Sequence, residues 1–147
     1  MSTIDFRAII AKDVCSKDEV LQAVAKHWNC TFEDVDKDVV YASREERQLF
    51  HIWVKSGDDS WDSTLTEGTF QGKQSVTIGL NKEEADRENI FSTVQFLIRL
   101  AKEAKAETLI NGIIHNDICL VKEGKVIWDD SFRNMYKDWI ATEGEEL

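Results

Sequence analysis

Apolar and polar positions alternate along this chain with two different periods, and the changes of period divide it into helices and strands. In "CSKDEVLQAVAKHWN", Val20, Leu21, Val24, Ala25 and Trp28 recur at helical spacing. Ser16 and Glu19 stand at the two positions of a capping box, and Cys15 can staple onto Val20. "VVYAS" and "QLFHIWV" predict two strands about the charged turn "REER". In the second strand Phe50, Ile52 and Val54 share one face, and Leu49, His51 and Trp53 share the other. A strand apolar on both faces is covered on both sides, or on one side by a partner. After an acidic loop over 55–69, "FQGKQSVTIGL" alternates through Val76, Ile78 and Leu80, with Gly72 as a turn or bulge.

The longest helical pattern is "LNKEEADRENIFSTVQFLIRLAKEAKA", for which Asn81 is the expected cap and Glu84 the box residue. Acidic residues crowd its start, and Arg99, Lys102 and Lys105 its end, as the helix dipole favours. Ile90, Val94, Leu97, Ile98 and Ala101 make one face, while Phe96 and Leu100 lie off it. A helix this apolar is central to a core or shares its surface with a second subunit, which makes Phe96 and Leu100 candidate dimer contacts. "ETLINGIIHND" predicts a strand that breaks at Asn116-Asp117, and "ICLVKEGKVIW" a hairpin turning at Glu123-Gly124. "DDSFRNMYKDWI" predicts a last helix capped by Asp129 or Asp130, with an acidic tail over 142–147. The expected fold is therefore α+β: one domain over 1–147, with a largely antiparallel sheet of about five strands. One long central helix and helices near the two ends pack with it.

Length and composition fit that expectation, since 147 residues with 42% hydrophobic and 31% charged content can bury a core. The chain contains no proline, so it has no stiff linker to mark a boundary. Cys15, Cys30 and Cys119 are odd in number and widely spaced, which argues against a disulfide framework and for a reducing, cytoplasmic setting. Neither a secretory signal nor an apolar run of membrane-spanning length is present.

Net charge adds more. The chain carries −10, with residues 1–30 neutral, 31–70 at −6, 71–106 at +1 and 107–147 at −5. Two acidic segments therefore flank a nearly neutral one. Such a field repels phosphate backbones and anionic lipid, so neither nucleic acid nor membrane is an expected partner.

Catalytic and metal patterns fail on geometry. His115, Asp117 and Cys119 in "HNDIC" alternate, but four residues along a strand separate His115 from Cys119 by about 13–14 Å, far beyond nucleophile–base contact. His51 lies in a strand, where a hydrogen-bonded sheet histidine is expected. Asp58, Asp59 and Asp62 crowd together, yet an EF-hand counted from Asp58 meets Ser63 where it needs Gly and Thr69 where it needs Glu. No phosphate-loop, dinucleotide, zinc-protease or serine-hydrolase motif occurs, and no cofactor is expected. An enzyme acting on a small molecule would have to build its pocket around His51 or His115.

The remaining signal is aromatic and acidic. Trp61 lies among Asp58, Asp59, Asp62 and Glu67, and Trp128 precedes Asp129 and Asp130. Tryptophan beside carboxylates suits either a plug onto the core or an anchor for a basic protein partner. In size and charge the chain is similar to immunity proteins that neutralise nuclease toxins, which implies a non-enzymatic inhibitor with those eight residues at its interface. Its order of elements also resembles that of the small acidic dimeric chaperones of type III secretion, which implies a homodimer through Phe96 and Leu100.

Overall fold

The computed structural model describes residues 2–34, 38–112 and 116–141, so His115 and the tail from Thr142 lie outside the described residues. Within them the elements are β1 (Thr3–Ile10), α1 (Lys17–Trp28), β2 (Thr31–Asp34), β3 (Val39–Arg44), β4 (Arg47–Asp62) and β5 (Thr69–Asn81), then α2 (Arg87–Ala104), β6 (Thr108–Gly112), β7 (Asn116–Lys122), β8 (Lys125–Trp128), α3 (Asp130–Met135) and α4 (Lys137–Trp139). The eight strands make one sheet in the order β2-β3-β4-β5-β1-β6-β7-β8, and every pairing is antiparallel. The α+β class stands, but with eight strands in place of about five. The two that local pattern does not announce are β1, which lies near the centre, and β2, an edge strand whose four residues are all exposed. Among the described residues no helix is long and apolar enough to cross a membrane.

One face of the sheet carries the helices. Phe6, Ala8 and Ile10 of β1, Phe50 and Ile52 of β4, and Val76, Ile78 and Leu80 of β5 join Val94, Leu97 and Ile98 of α2 in a single buried cluster. The Ser16 cap of α1 forms: its hydroxyl accepts from the Glu19 amide at 3.1 Å and donates to the Glu19 carboxylate at 3.0 Å. Buried Gln74 fixes the approach to this helix, its side-chain oxygen accepting from the amides of Val14 and Cys15 and its amide donating to the Cys15 carbonyl.

The start of the long helix differs from expectation. Asn81 caps only a single 3-10 turn, Lys82–Glu84, and α2 begins anew at Asp86, whose carboxylate accepts from the Asn89 amide at 2.8 Å. The last helix is likewise divided, with Asp129 as the cap of α3 and a break at Tyr136.

Phe96 and Leu100 are 3% and 7% exposed within the single chain. Phe96 packs against Trp28 and His27 at centroid separations of 5.0 and 5.5 Å, so α1 occupies the place that the dimer expectation gave to a second subunit. A dimer through Phe96 would have to displace α1.

The opposite face is divided between two uses. Strand registers place Tyr41, His51, Gly79 and Asp5 in one transverse row, Val39, Trp53, Thr77 and Arg7 in the next, and Ser75, Ile9, Leu109 and Leu120 in a third. The far end of the β4–β5 hairpin continues past β1, whose pairing with β5 ends at Ile10 and Gln74. It folds against the third row, where Trp61, Leu65 and Phe70 pack on Ile9, Leu109 and Leu120. Residues 55–69 are therefore not one long loop. Pairing continues from Asp59–Gly72 to Asp62–Thr69, after a register shift between Ser56 and Asp59 that contains Gly57 at φ 132°. The bulge lies on β4, whereas Gly72 remains paired and admits close packing. A Cβ at Gly72 would come 2.3 Å from Ile9 Cγ2 and 2.7 Å from the Asp59 carbonyl.

Two stability outcomes follow from this packing. Gly72→Ala should lower unfolding free energy by about 1–3 kcal/mol in a denaturant titration, the usual cost of overpacking. Phe96→Ala should cost about 3–5 kcal/mol as a large-to-small core change. If α1 alone covers Phe96, the unfolding midpoint of that variant should not vary with protein concentration; a concentration-dependent midpoint would restore the dimer.

Candidate functional site

Of the eight residues expected at a partner surface, some are held internally and others are exposed. Past the Gly57 bulge, Asp59 and Trp61 fall on the same side of β4 and meet Arg7 of β1. The Arg7 guanidinium lies 3.4 Å from an Asp59 oxygen and 5.0 Å from the centroid of the Trp61 ring. Trp61 is half-buried, with the second apolar cluster beneath it. Part of the indole thus packs on the sheet, and part of it stays open to solvent. Asp58 is bonded to Lys73 at 2.7 Å and remains 85% exposed in its side chain, a pair that solvent weakens. Asp62 accepts from the Thr69 hydroxyl at 2.6 Å across the hairpin, and both Asp62 and Glu67 are exposed near the tip. Gly68, at φ 86°, closes that tip in a conformation that other residues rarely adopt.

The tip is secured to β7 through one carboxylate. An oxygen of Asp117 accepts from the Ser63 hydroxyl at 2.9 Å and the Thr64 amide at 3.2 Å. Next along β7, the Ile118 carbonyl accepts from the Asp129 amide at 2.8 Å. Residues 117 and 118 thus tie both acidic segments, remote in sequence, to the same stretch of backbone. Within the second segment Trp128 stacks on Phe132 at 5.7 Å, and its partly buried ring packs on the main core. The Asp129 carboxylate caps α3 by accepting from the Phe132 amide at 3.1 Å, whereas Asp130 is exposed. Carboxylates available to a partner are therefore those of Asp58, Asp62, Glu67 and Asp130. No local signal in the chain marks Asp117 as the residue that secures the hairpin tip, because the groups it accepts from lie more than fifty positions away.

Of the three histidines, His27 and His51 lie among the described residues. His51 lies over Gly79, and its Nε2 stands 3.8 Å from an Asp5 oxygen with no hydrogen bond. At Nε2, therefore, the hydrogen bond expected of a sheet histidine is not made. Burial holds its basicity below the usual imidazole value despite the opposing pull of Asp5. His27 contacts the Ser92 hydroxyl at 3.0 Å through Nε2. Its Nδ1, however, faces Arg99 at 3.4 Å, where a serine–histidine mechanism places a carboxylate. Burial first and Arg99 second lower the basicity of His27. Cys119 is fully buried, and desolvation raises its thiol far above the range of a reactive cysteine. Among the described residues, no three His, Cys, Asp or Glu side chains converge as a metal site.

Arg7, Trp53, Ser75, Thr77 and the bulge at Gly57–Asp59 line a cleft of about 620 Å³ beside the folded-over hairpin. It is polar, and the Arg7–Asp59 pair supplies both signs of charge, so no single ligand class is favoured. Comparison of the chain with known protein families, with curated proteins and with solved structures finds no match.

A pH response follows from the two lowered histidines. Folding favours their neutral forms, so their contribution is complete above the unfolded value of about 6.5 and is lost as pH falls through and below it. Melting temperature should drop between about pH 7.5 and 5.5. The drop should shrink in His27→Gln and in His51→Gln; an unchanged slope in both would remove burial of these rings as its cause.

Proposed function

We propose that this chain is a non-enzymatic protein-binding domain that captures a basic partner at the junction of its two acidic segments, in the manner of an inhibitor or immunity protein facing a basic nuclease. One observation supports this above the others. The start of β7 holds both the hairpin tip, beside Asp62, and the β8–α3 connection that carries Asp129 and Asp130. A chain of net charge −10 already attracts cationic proteins, and concentrating carboxylates in one region steers and orients the encounter.

The internal positions of Trp61 and Trp128 alter the form of this proposal. Contact rests on Asp58, Asp62, Glu67 and Asp130, with the tryptophans supporting the backbone that carries them. Surface carboxylates of this kind act mainly on association rate and are screened by salt.

A tagged pull-down at low salt from the source cell, washed at about 0.5 M salt where the Debye length falls to a few ångströms, tests the proposal directly. One basic protein should be retained and then weakened by the wash. Asp62→Asn/Glu67→Gln/Asp130→Asn should slow its association about tenfold or more while leaving the melting temperature near that of the parent. Retention unaffected by both the wash and the substitutions would remove the acidic junction from consideration.

A further inference from the structure

A second charged feature lies on the helical side of the sheet and has the opposite sign. Lys102 at the end of α2, Lys125 of β8, Arg133 of α3 and Lys137 of α4 line a groove of about 690 Å³ with Val126, Trp128 and Ile140 among its apolar residues. No acidic residue among the described residues lines it. Among the described residues, none of the four cations forms an ion pair. Lys125 also stands directly across the β7–β8 hairpin from Lys122, a like-charge pairing that weakens a strand pair.

This concentration is unexpected in a chain with 28 acidic and 18 basic residues. Lys102 has an ordinary structural role in complementing the end of the helix dipole. The dipole does not account for Lys125, which is on a strand, or for the lack of carboxylates among the described lining residues. Unpaired like charges repel, and a bound anion relieves that repulsion.

We propose that the groove between α2, β8 and the C-terminal helices binds a small ligand carrying a chain of phosphates. Its volume falls within the range of small-molecule sites. Lysine and arginine make strong charge-assisted hydrogen bonds to phosphate oxygens, and four cations exceed what one carboxylate would satisfy. An extended polyanion fits less well. Asp129, Asp130 and Asp138 stand close by in sequence, and the field of the whole chain opposes a nucleic-acid backbone running beyond the groove. The apolar floor at Trp128 and Ile140 allows the phosphate chain to carry an organic group.

Calorimetric titration of the whole protein with inorganic tripolyphosphate and with ATP, at about 50 mM salt to limit screening, tests this assignment. Saturable binding of one equivalent is expected for at least one probe. Lys125→Gln/Lys137→Gln should weaken it about tenfold or more through loss of two charge-assisted contacts. Lys12→Gln/Lys82→Gln removes the same charge from exposed positions outside the groove and should leave affinity within about twofold, as a change confined to the general field. Tighter binding of ATP would indicate an organic group on the apolar floor, and equal binding would indicate recognition of the phosphate chain alone. Absence of saturable binding to both probes, or equal weakening by the two lysine pairs, would overturn the proposal.

Discussion

The arrangement depends on a mismatch of length between the β4–β5 hairpin and the strand it flanks. β5 has 13 residues and β1 has 8, so the last part of the hairpin has no neighbour in the plane of the sheet. Beneath it lies the apolar row Ile9, Leu109 and Leu120, which the helices on the other face cannot cover. Folding the hairpin onto this row solves both problems. Phe70, Leu65 and Trp61 are covered together with the row, and the strand ends gain side-chain partners on β7. The bend needs a residue able to leave the pleat, supplied by Gly57, and close backbone approach, supplied by Gly72.

Arg7 then becomes intelligible. A cation on a central strand must retain solvent or find partners. The folded-over hairpin supplies Asp59 and the face of Trp61, while the neighbouring cleft keeps Arg7 partly solvated. Trp61 thus completes an environment for a charge as well as covering an apolar row. The same movement leaves Asp62 and Glu67 at the outside of the tip, beside the stretch of β7 that also holds Asp129. Acidity at that junction follows from the topology, not from adjacency in the chain.

How much was legible in the sequence depended on how local each cause was. The cap at Ser16 and Glu19 lies within one turn, and α1 starts there as expected. The turns at Glu45-Glu46 and Glu123-Gly124 are equally local, and all four residues have positive φ. β1 alternates through Ile4, Phe6, Ala8 and Ile10, but Asp5 and Arg7 give its other face the look of solvent-exposed chain, and the groups that face them, His51 and Asp59, are 46 and 52 positions away. β2 offers no apolar alternation because all four of its residues are exposed. The acidic stretch after Lys55 resembles a loop by composition, yet a hairpin extending beyond its sheet can carry carboxylates on its open side. Asn81 and Asp86 both have cap chemistry, and only packing of the connection separates the 3-10 turn from α2. For the candidate site, the residue types were legible and their division into internal and exposed groups was not.

That division bears on how an acidic surface of this kind could hold a partner. For the tryptophans to act as anchors, they would have to leave one packed environment for another. Here Trp61 and Trp128 are already packed, and hydrogen bonds to the Asp117 carboxylate and the Ile118 carbonyl restrain the segments that bear the exposed acids. Less conformational freedom therefore remains to be lost when a cationic partner arrives. In the proposed complex the half-buried tryptophans would contribute through that restraint and the solvent-facing carboxylates through charge.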